Sequence, residues 1–164
     1  MPRTSTLWKS AALALTVGAA AFSLAGCSLI NTVTGPIDLD SSDGTDTDAF
    51  QISVGDCLND ADLSGEVSTV PVIDCAEPHD SEAYASIILP DGDYPGEDAI
   101  FEQADADCLA AFADYVGIAW EESSLQFSYY FPTTGSWESG DREVLCLVYD
   151  PAGQLTGSVK DSAK

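Results

Sequence analysis

The chain has 164 residues, of which 28 are acidic and five basic, giving a formal net charge of −23 at pH 7. This length accommodates one domain with a tail rather than two domains, and a hydrophobic content of 45% can supply one modest core. A surface this acidic repels phosphate backbones, whose binding depends on Lys and Arg contacts, so nucleic acid is excluded as a partner.

Residues 1–26 carry the features of a secretory signal peptide. Two basic residues and no acidic ones precede an apolar run that reaches Leu24. The run ends in Leu24-Ala-Gly-Cys27, which resembles the bacterial lipobox, where the cysteine thiol receives a diacylglyceryl group and becomes the new N-terminus. We therefore predict a signal peptide over 1–26 and lipidation at Cys27, with an ordinary signal peptide or an uncleaved anchor as alternatives. The two acyl chains of such an anchor suffice for stable membrane attachment.

Residues 27–49 are predicted to be an acylated cysteine followed by a disordered acidic linker. Five aspartates and no basic residue lie between 38 and 48, and such a segment cannot bury enough apolar surface to fold. It does not fit an EF-hand calcium loop, because no register places Gly at position 6 together with Glu at position 12. From Cys27 onward the chain has 28 acidic and three basic residues, which gives a net charge of −25. Membrane attachment must therefore come from the lipid and not from a basic patch.

The folded domain is predicted over residues 50–160. Apolar residues that alternate with polar ones predict five strands, at 50–54, 67–73, 81–89, 125–131 and 142–149. Pro71 in the second strand indicates an edge or a bulge. Apolar residues at three- and four-residue spacing predict one helix over 97–116, with Gly117 as its C-terminal cap. We expect an α+β domain: a small, mostly antiparallel sheet of four to five strands with one main helix packed on a face.

The pattern also makes two finer predictions. In the third strand, Ala83, Ala85 and Ile87 are expected on one face of the sheet and Tyr84 on the other. Residues 132–141, rich in Gly, Ser and Thr, are expected to form a turn-rich connection before the last strand.

Besides Cys27 the chain has four cysteines, an even number in an exported protein, which predicts two disulfides. Cys57 and Cys75 lie at the ends of two strands joined by a short loop. Cys108 lies on the apolar stripe of the helix, opposite Cys146 at the centre of the last strand. Of the three pairings that four cysteines allow, this favours Cys57–Cys75 and Cys108–Cys146. The spacings fit neither a C-x-x-C motif nor a zinc pattern, which disfavours a thiol-redox enzyme or a zinc module.

His79 is the only histidine and the first candidate for chemistry. In an enzyme it could act as a general base that is oriented by Asp74 or Asp80 and acts on Ser81 or a water molecule. The chain has no Gly-x-Ser-x-Gly nucleophile elbow, and one histidine cannot form a multi-histidine metal site. The favoured interpretation is a turn histidine bonded to backbone or a carboxylate, with a binding contact as the alternative. No catalytic residue, metal ligand or cofactor is predicted.

Trp137 and Arg142 are the other two candidate binding residues. Trp137 is expected in the core, with exposure and contact to a glycan or a protein partner as the alternative. Arg142 is expected to pair with Asp141, Glu143 or an acid across the sheet, with a ligand-anchoring role as the alternative. So many acidic groups make any one carboxylate pair uninformative about glycosidase chemistry, so none is nominated.

Two sets of residues together resemble the septum formation domain family of actinobacterial envelope proteins. The first set is Val54-Gly-Asp-Cys57, Val72-Ile-Asp-Cys75-Ala-Glu-Pro-His-Asp80, Glu82 and Cys108. The second is Pro132-Thr133, Ser136-Trp137, Gly140-Asp-Arg142, Cys146 and Leu155-Thr-Gly-Ser158. The resemblance implies an extracytoplasmic domain with two disulfides, found in lipoproteins and on membrane-spanning proteins. The family's label points to cell division, and the resemblance implies no set of catalytic residues.

The sequence therefore predicts a lipoprotein on the outer face of the cytoplasmic membrane. Its domain, on an acidic tether, would act as a non-enzymatic binding module for an envelope protein or a cell-wall partner. The alternatives are an envelope hydrolase built on His79 and a calcium or glycan site near Trp137.

Overall fold

The computed structural model describes residues 44–164, which contain a six-stranded antiparallel sheet and one long helix. The strands are β1 (Thr45–Asp48), β2 (Cys57–Leu58), β3 (Thr69–Ile73), β4 (Ser81–Ile88), β5 (Gln126–Tyr130) and β6 (Glu143–Tyr149). Their order in the sheet is β1-β3-β2-β4-β6-β5, and the helices are α1 (Glu97–Val116) and the short α2 (Thr134–Glu138). The α+β class is confirmed, with six strands rather than four or five. The predicted signal peptide and lipobox lie outside the described residues.

Two strands were not predicted: β2, which has only two residues, and β1, which comes from residues that the sequence assigned to the linker. Strand β1 pairs with β3 from Thr45–Val72 to Asp48–Thr69. Its acidic side chains stay exposed or nearly so, because an edge strand needs only backbone pairing and leaves its side chains in water. The sheet therefore begins five residues before the predicted start of the domain.

The strand predicted at 50–54 is wrong. The Asp48 carboxylate accepts a hydrogen bond from the Phe50 N–H at 3.0 Å and starts a single 3₁₀ turn over Ala49–Gln51. Phe50 and Val54 are 63% and 47% exposed, and only Ile52 between them is buried. The alternation that suggested a pleated strand marks instead a turn that anchors one apolar side chain.

Strand β3 is not at an edge, although it contains Pro71. It lies between β1 and β2. The Pro71 carbonyl accepts from the Asn59 N–H at 3.0 Å, just past the end of β2, which has only two residues. Because the N and O atoms of one strand residue face the same side, the missing N–H of Pro71 faces the place where β2 stops. Proline therefore costs only the reciprocal bond of the Asn59–Pro71 pair, which lies just beyond the end of β2.

The core has two parts, one on each face of the sheet. Helix α1 has the predicted bounds, and it buries one stripe of side chains against the sheet: Ile100, Ala104, Cys108, Phe112, Tyr115 and Val116. The opposite part contains Ile52, Leu58, Val70, Ala83, Leu145 and Leu147. Strand β6 contributes alternate residues to both parts, as its period of two requires. Gly117 ends α1 at φ +89°, a left-handed conformation that favours glycine.

The predicted faces of β4 are wrong at two residues, Ala83 and Tyr84, relative to Ala85 and Ile87. A register shift between Ala83 and Ala85 interrupts the pairing of β4 with β6. One extra residue reverses the facing of everything beyond it. Tyr84 therefore packs on the α1 side with Ala85 and Ile87, whereas Ala83 packs in the opposite part of the core.

Both predicted disulfides, Cys57–Cys75 and Cys108–Cys146, are confirmed. They close loops of 18 and 38 residues, worth about 3 and about 4 kcal/mol in the chain-entropy model. The connection over 132–141 contains α2, whose first turn is closed by a capping box between Thr133 and Ser136. Within residues 44–164, no helix is long and apolar enough to cross a bilayer.

Candidate functional site

Trp137 is a buried side chain and not an exposed platform. It is 5% exposed, and its indole N–H donates to the Gly92 carbonyl at 3.0 Å. The Tyr94 ring packs edge-on against it with 5.7 Å between centroids. Trp137 thus ties α2 to the loop that precedes α1, as the core interpretation expected.

Arg142 packs on Trp137. Its guanidinium carbon lies 3.8 Å from the centre of the indole ring, and its Nη1 donates to the carbonyls of Trp137 and Asp141 at 2.8 and 2.6 Å. The carboxylate nearest its Nε is that of Asp91, at 3.3 Å, rather than those of Asp141 or Glu143. Asp91 is almost fully exposed, so this ion pair contributes about 1 kcal/mol or less. Arg142 holds the α2 loop in place.

His79 lies in the interior, where it is fully buried. Its Nδ1 is 2.8 Å from the Glu77 carbonyl, and because a carbonyl only accepts, Nδ1 carries the proton. Its backbone exchanges two hydrogen bonds with Leu155, at 3.0 and 2.8 Å. This is the predicted backbone-bonded histidine.

The groups that a hydrolase would need around His79 are engaged elsewhere. The Asp80 carboxylate accepts from the Ala61 N–H and the Gln154 amide, each at 3.0 Å. The Ser81 hydroxyl donates to Asp60 at 2.8 Å. In the described part of the chain, no hydrogen bond links His79 to either residue.

Glu82 is a buried residue with a structural role that the sequence did not predict. It is fully buried, and three donors point at its carboxylate: the Tyr115 hydroxyl at 2.6 Å, the Ser158 hydroxyl at 2.6 Å and the Val159 N–H at 2.7 Å. These bonds fasten the segment after Leu155 to the sheet. The available signal was that Glu82 is the only charged residue in β4.

A polar cleft of about 480 Å³ lies where the loop after β2 meets the turn after β6. Asp60 accepts there from the hydroxyls of Ser81 and Tyr130, both at 2.8 Å. Burial raises the pKa of Asp60, while these two hydrogen bonds act in the opposite direction. The hydrogen bonds of Asp60 and Asp80 hold the surrounding loops together.

A smaller groove, the acidic groove, lies beside the part of the core that faces away from α1. Its cavity measures about 120 Å³. Its large apolar lining residues come from four segments of the chain: Phe50, Val67, Tyr130 with Phe131, and Leu145. Phe50 is the most exposed of these at 63%, so an apolar ring stands in water at this surface.

Three carboxylates surround this apolar lining. Glu66 accepts from the Thr133 hydroxyl at 3.2 Å, and Asp141 accepts from the Ser136 hydroxyl at 2.8 Å. Glu143 accepts from the hydroxyl of Ser86 on β4. These hydroxyl donors are uncharged, and the described residues that line the groove include no Lys or Arg. The groove therefore combines an apolar floor with negative charge that has no cationic partner in its lining.

Comparison with known proteins identifies the family. The profile of the family described as Septum formation matches residues 30–160. The chain belongs to the septum formation family. Two curated mycobacterial proteins, from Mycobacterium tuberculosis and Mycobacterium bovis and each named "Putative lipoprotein LppN", are 34% identical to it over 120 residues. The match covers 68% of this chain and 63% of theirs, so it spans less than two thirds of those relatives. No solved structure matches the chain.

Residues that carried the resemblance to the septum formation family mostly hold the fold. Gly55 adopts φ +101° and donates to the Ala83 carbonyl at 2.7 Å. Gly157, at φ +79°, donates to the Cys75 carbonyl at 2.6 Å, and this places the next residue, Ser158, against Glu82. These motif residues therefore hold the scaffold together.

Proposed function

We propose that this protein is a lipoprotein of the bacterial cell envelope that acts as a binding module through its acidic groove. The lipobox at Leu24–Cys27 and the name of the mycobacterial relatives support the lipid anchor. The family's description makes the division septum the first place to look for its partner.

The acidic groove carries the binding part of this proposal. Burying an exposed aromatic ring such as Phe50 against a partner is favourable by about 25 cal/mol per Å² of apolar surface. The surrounding carboxylates of Glu66, Asp141 and Glu143 select against anionic partners and attract cations. The cavity holds no more than a side chain or two, so the fitting occupant is a peptide segment and not a folded domain.

The partner is therefore a protein with an exposed segment that carries Lys or Arg beside one apolar side chain. The apolar group would occupy the cavity, and the cations would lie at the three carboxylates. Because electrostatic attraction is screened over about 8 Å at physiological ionic strength, binding should weaken as salt is raised. A binding role is also supported by the internal engagement of His79, Asp80 and Ser81, which ties the obvious reactive groups into the scaffold.

Replacing Cys27 tests the anchor. Cys27→Ala removes the thiol that would carry the diacylglyceryl group, while the described domain begins well beyond it. We expect the protein to leave the membrane fraction and to lose incorporation of labelled fatty acid, with both disulfides still formed. A Cys27→Ala protein that stays in the membrane with its first 26 residues uncleaved would show that the apolar run itself is the anchor.

Site-specific crosslinking in intact cells tests the groove. A photoreactive amino acid at Phe50 should capture a partner, whereas the same group at Leu109, an exposed residue of α1, should not. Capture should fall when Glu66→Gln and Glu143→Gln are combined. It should persist in a charge-matched control that combines Glu121→Gln with Glu122→Gln. The peptide joined to residue 50 should contain Lys or Arg. The groove would be refuted as the binding site if the crosslinking yield did not fall in the Glu66→Gln/Glu143→Gln variant, or if position 109 captured the partner equally well.

A further inference from the structure

The interior of the domain holds a cluster of metal-binding side chains beside one disulfide. A sulfur of Cys57, a ring nitrogen of His79 and a carboxylate oxygen of Glu82 all lie within 4.8 Å of one another. All three residues are fully buried. The sheet register brings them together, because Cys57 on β2 pairs directly with Glu82 on β4, and His79 lies two residues before β4 begins.

The two non-sulfur groups make the hydrogen bonds that metal ligands typically make. The Nδ1–H of His79 donates to the Glu77 carbonyl, so the lone pair of the imidazole is on Nε2. This nitrogen is buried and has no hydrogen-bond partner among the described residues. A histidine that binds a metal typically donates its other N–H to a carbonyl or carboxylate in this way, and a ligating carboxylate is held by its own donors. Glu82 is held by Tyr115, Ser158 and Val159.

The sulfur is the group that prevents metal binding in this state. Cys57 is bonded to Cys75, and a disulfide sulfur lacks the thiolate that zinc requires. Cys57 is fully buried, whereas Cys75 is half-buried, so a reductant in solution reaches Cys75 first. Cys75 is not one of the three clustered residues, but its sulfur is covalently joined to that of Cys57.

We propose that reduction of Cys57–Cys75 converts this cluster into a zinc site formed by Cys57, Cys75, His79 and Glu82. A thiolate of a dithiol reductant attacks the sulfur of Cys75, breaks the S–S bond and releases Cys57. The second thiol of the reductant then releases Cys75 and closes the reductant's own disulfide. Two electrons pass from the dithiol to the protein, and Cys57 and Cys75 each end with one proton. Zn²⁺ displaces these two protons from the thiols as it binds both sulfurs, the Nε2 lone pair and one carboxylate oxygen.

The geometry and the chemistry favour zinc. Zn–S bonds of about 2.3 Å and Zn–N or Zn–O bonds of about 2.0 to 2.2 Å place neighbouring ligand atoms about 3.3 to 3.8 Å apart in a tetrahedral site. The ligand atoms of Cys57, His79 and Glu82, which lie within 4.8 Å of one another, therefore need to move by about 1 Å. The sulfur of Cys75 reaches ligand spacing from that of Cys57 only after the S–S bond is broken. Two thiolates and an imidazole favour zinc over calcium or magnesium, which prefer oxygen ligands. The metal would tie β2 to the loop that follows β3, as the disulfide does in the oxidised form.

Metal binding by the full-length mature protein in both redox states tests the proposal. The protein is reduced with dithiothreitol, freed of it without oxygen, and titrated with zinc against a chromophoric chelator. We expect one zinc per reduced chain and none per oxidised chain. Cobalt in place of zinc should give the charge-transfer absorption of two thiolate ligands. Zinc should also raise the unfolding temperature of the reduced chain.

Variants assign the ligands. Cys75→Ser, at the half-buried position, and Cys57→Ser should each weaken zinc binding, and His79→Gln should weaken it at least tenfold. Cys108→Ala combined with Cys146→Ala is the matched control, and it should still bind one zinc after reduction. The unfolding temperature of oxidised His79→Gln checks that this variant folds. Reduced protein that binds no zinc, binding that survives the loss of Cys57 and Cys75, or binding that is lost only in the control would overturn the proposal.

Discussion

Replacing Glu82 by Gln should destabilise the domain by about 2 to 4 kcal/mol. Glu82 is fully buried and accepts three hydrogen bonds at 2.6 to 2.7 Å, two on Oε1 and one on Oε2. Glutamine has the same size but only one acceptor oxygen. If that oxygen keeps the hydroxyls of Tyr115 and Ser158, the amide NH₂ meets the Val159 N–H, and two donors face each other.

The magnitude follows from the lost bond and the donor left behind. A hydrogen bond to a charged group contributes about 1.5 to 3 kcal/mol, and a buried donor without an acceptor costs about 1 to 3 kcal/mol. The substitution also removes the cost of burying a carboxylate, which offsets part of this loss. The net effect of about 2 to 4 kcal/mol is a large fraction of the stability of a small domain.

Urea unfolding followed by circular dichroism, with both disulfides intact, measures the effect. Glu102→Gln, on the exposed side of α1, is the control and should change the free energy of unfolding by no more than about 0.5 kcal/mol. Hydrogen exchange at the Val159 amide should accelerate in Glu82→Gln, because that N–H loses its acceptor. A Glu82→Gln midpoint that matches the control, with unchanged exchange at Val159, would refute the three-donor account.

Three further predictions concern charge and backbone conformation. Burial raises the pKa of Asp60, so the folded state keeps this proton to a higher pH than the unfolded chain does. The contribution of Asp60 to stability is therefore complete below its unfolded pKa and declines as pH rises through its folded pKa. Asp60→Asn should remove that decline, which urea unfolding at a series of pH values above about 4 measures. Burial likewise raises the pKa of Tyr84 and Tyr130, so they should stay protonated in the folded protein beyond pH 10, and absorbance near 295 nm should rise for them only with alkaline unfolding. Gly117→Ala, at φ +89°, should lower the melting temperature by several degrees, for a cost of about 1 kcal/mol, whereas Gly135→Ala inside α2 should not destabilise.

The features that the sequence predicted well depend on local pattern. The bounds of α1 followed from apolar spacing together with Gly117, because a helix satisfies its hydrogen bonds within one segment. The pairing of Cys108 with Cys146 followed in the same way, since each cysteine could be placed on the buried side of its own element before any tertiary contact was known. Strand β6 was equally predictable, because its two faces alternate without interruption along the strand.

The features that the sequence did not predict depend on contacts between residues that are far apart in the chain. Strand β1 has no apolar pattern, and it is a strand only because β3 offers it a hydrogen-bonding edge. The facing of Tyr84 depends on a bulge that appears only against β6. The role of Glu82 depends on donors up to 77 positions away in the chain. The sequence did not predict the acidic groove for the same reason, because its apolar lining comes from four segments that are distant in the chain.

Some residues of the acidic groove belong to the family motifs, and others lie outside them. Thr133 caps α2 and donates to Glu66, and Ser136 donates to Asp141, so motif residues fix where two of the three carboxylates lie. The apolar lining, by contrast, comes from positions outside the quoted motifs. Charge mainly sets attraction and orientation, whereas buried apolar contacts set residence time. In the proposed binding role, the scaffold would therefore determine which class of partner approaches. The floor of the groove, with Phe50 at its most exposed position, would determine which cationic segment stays bound.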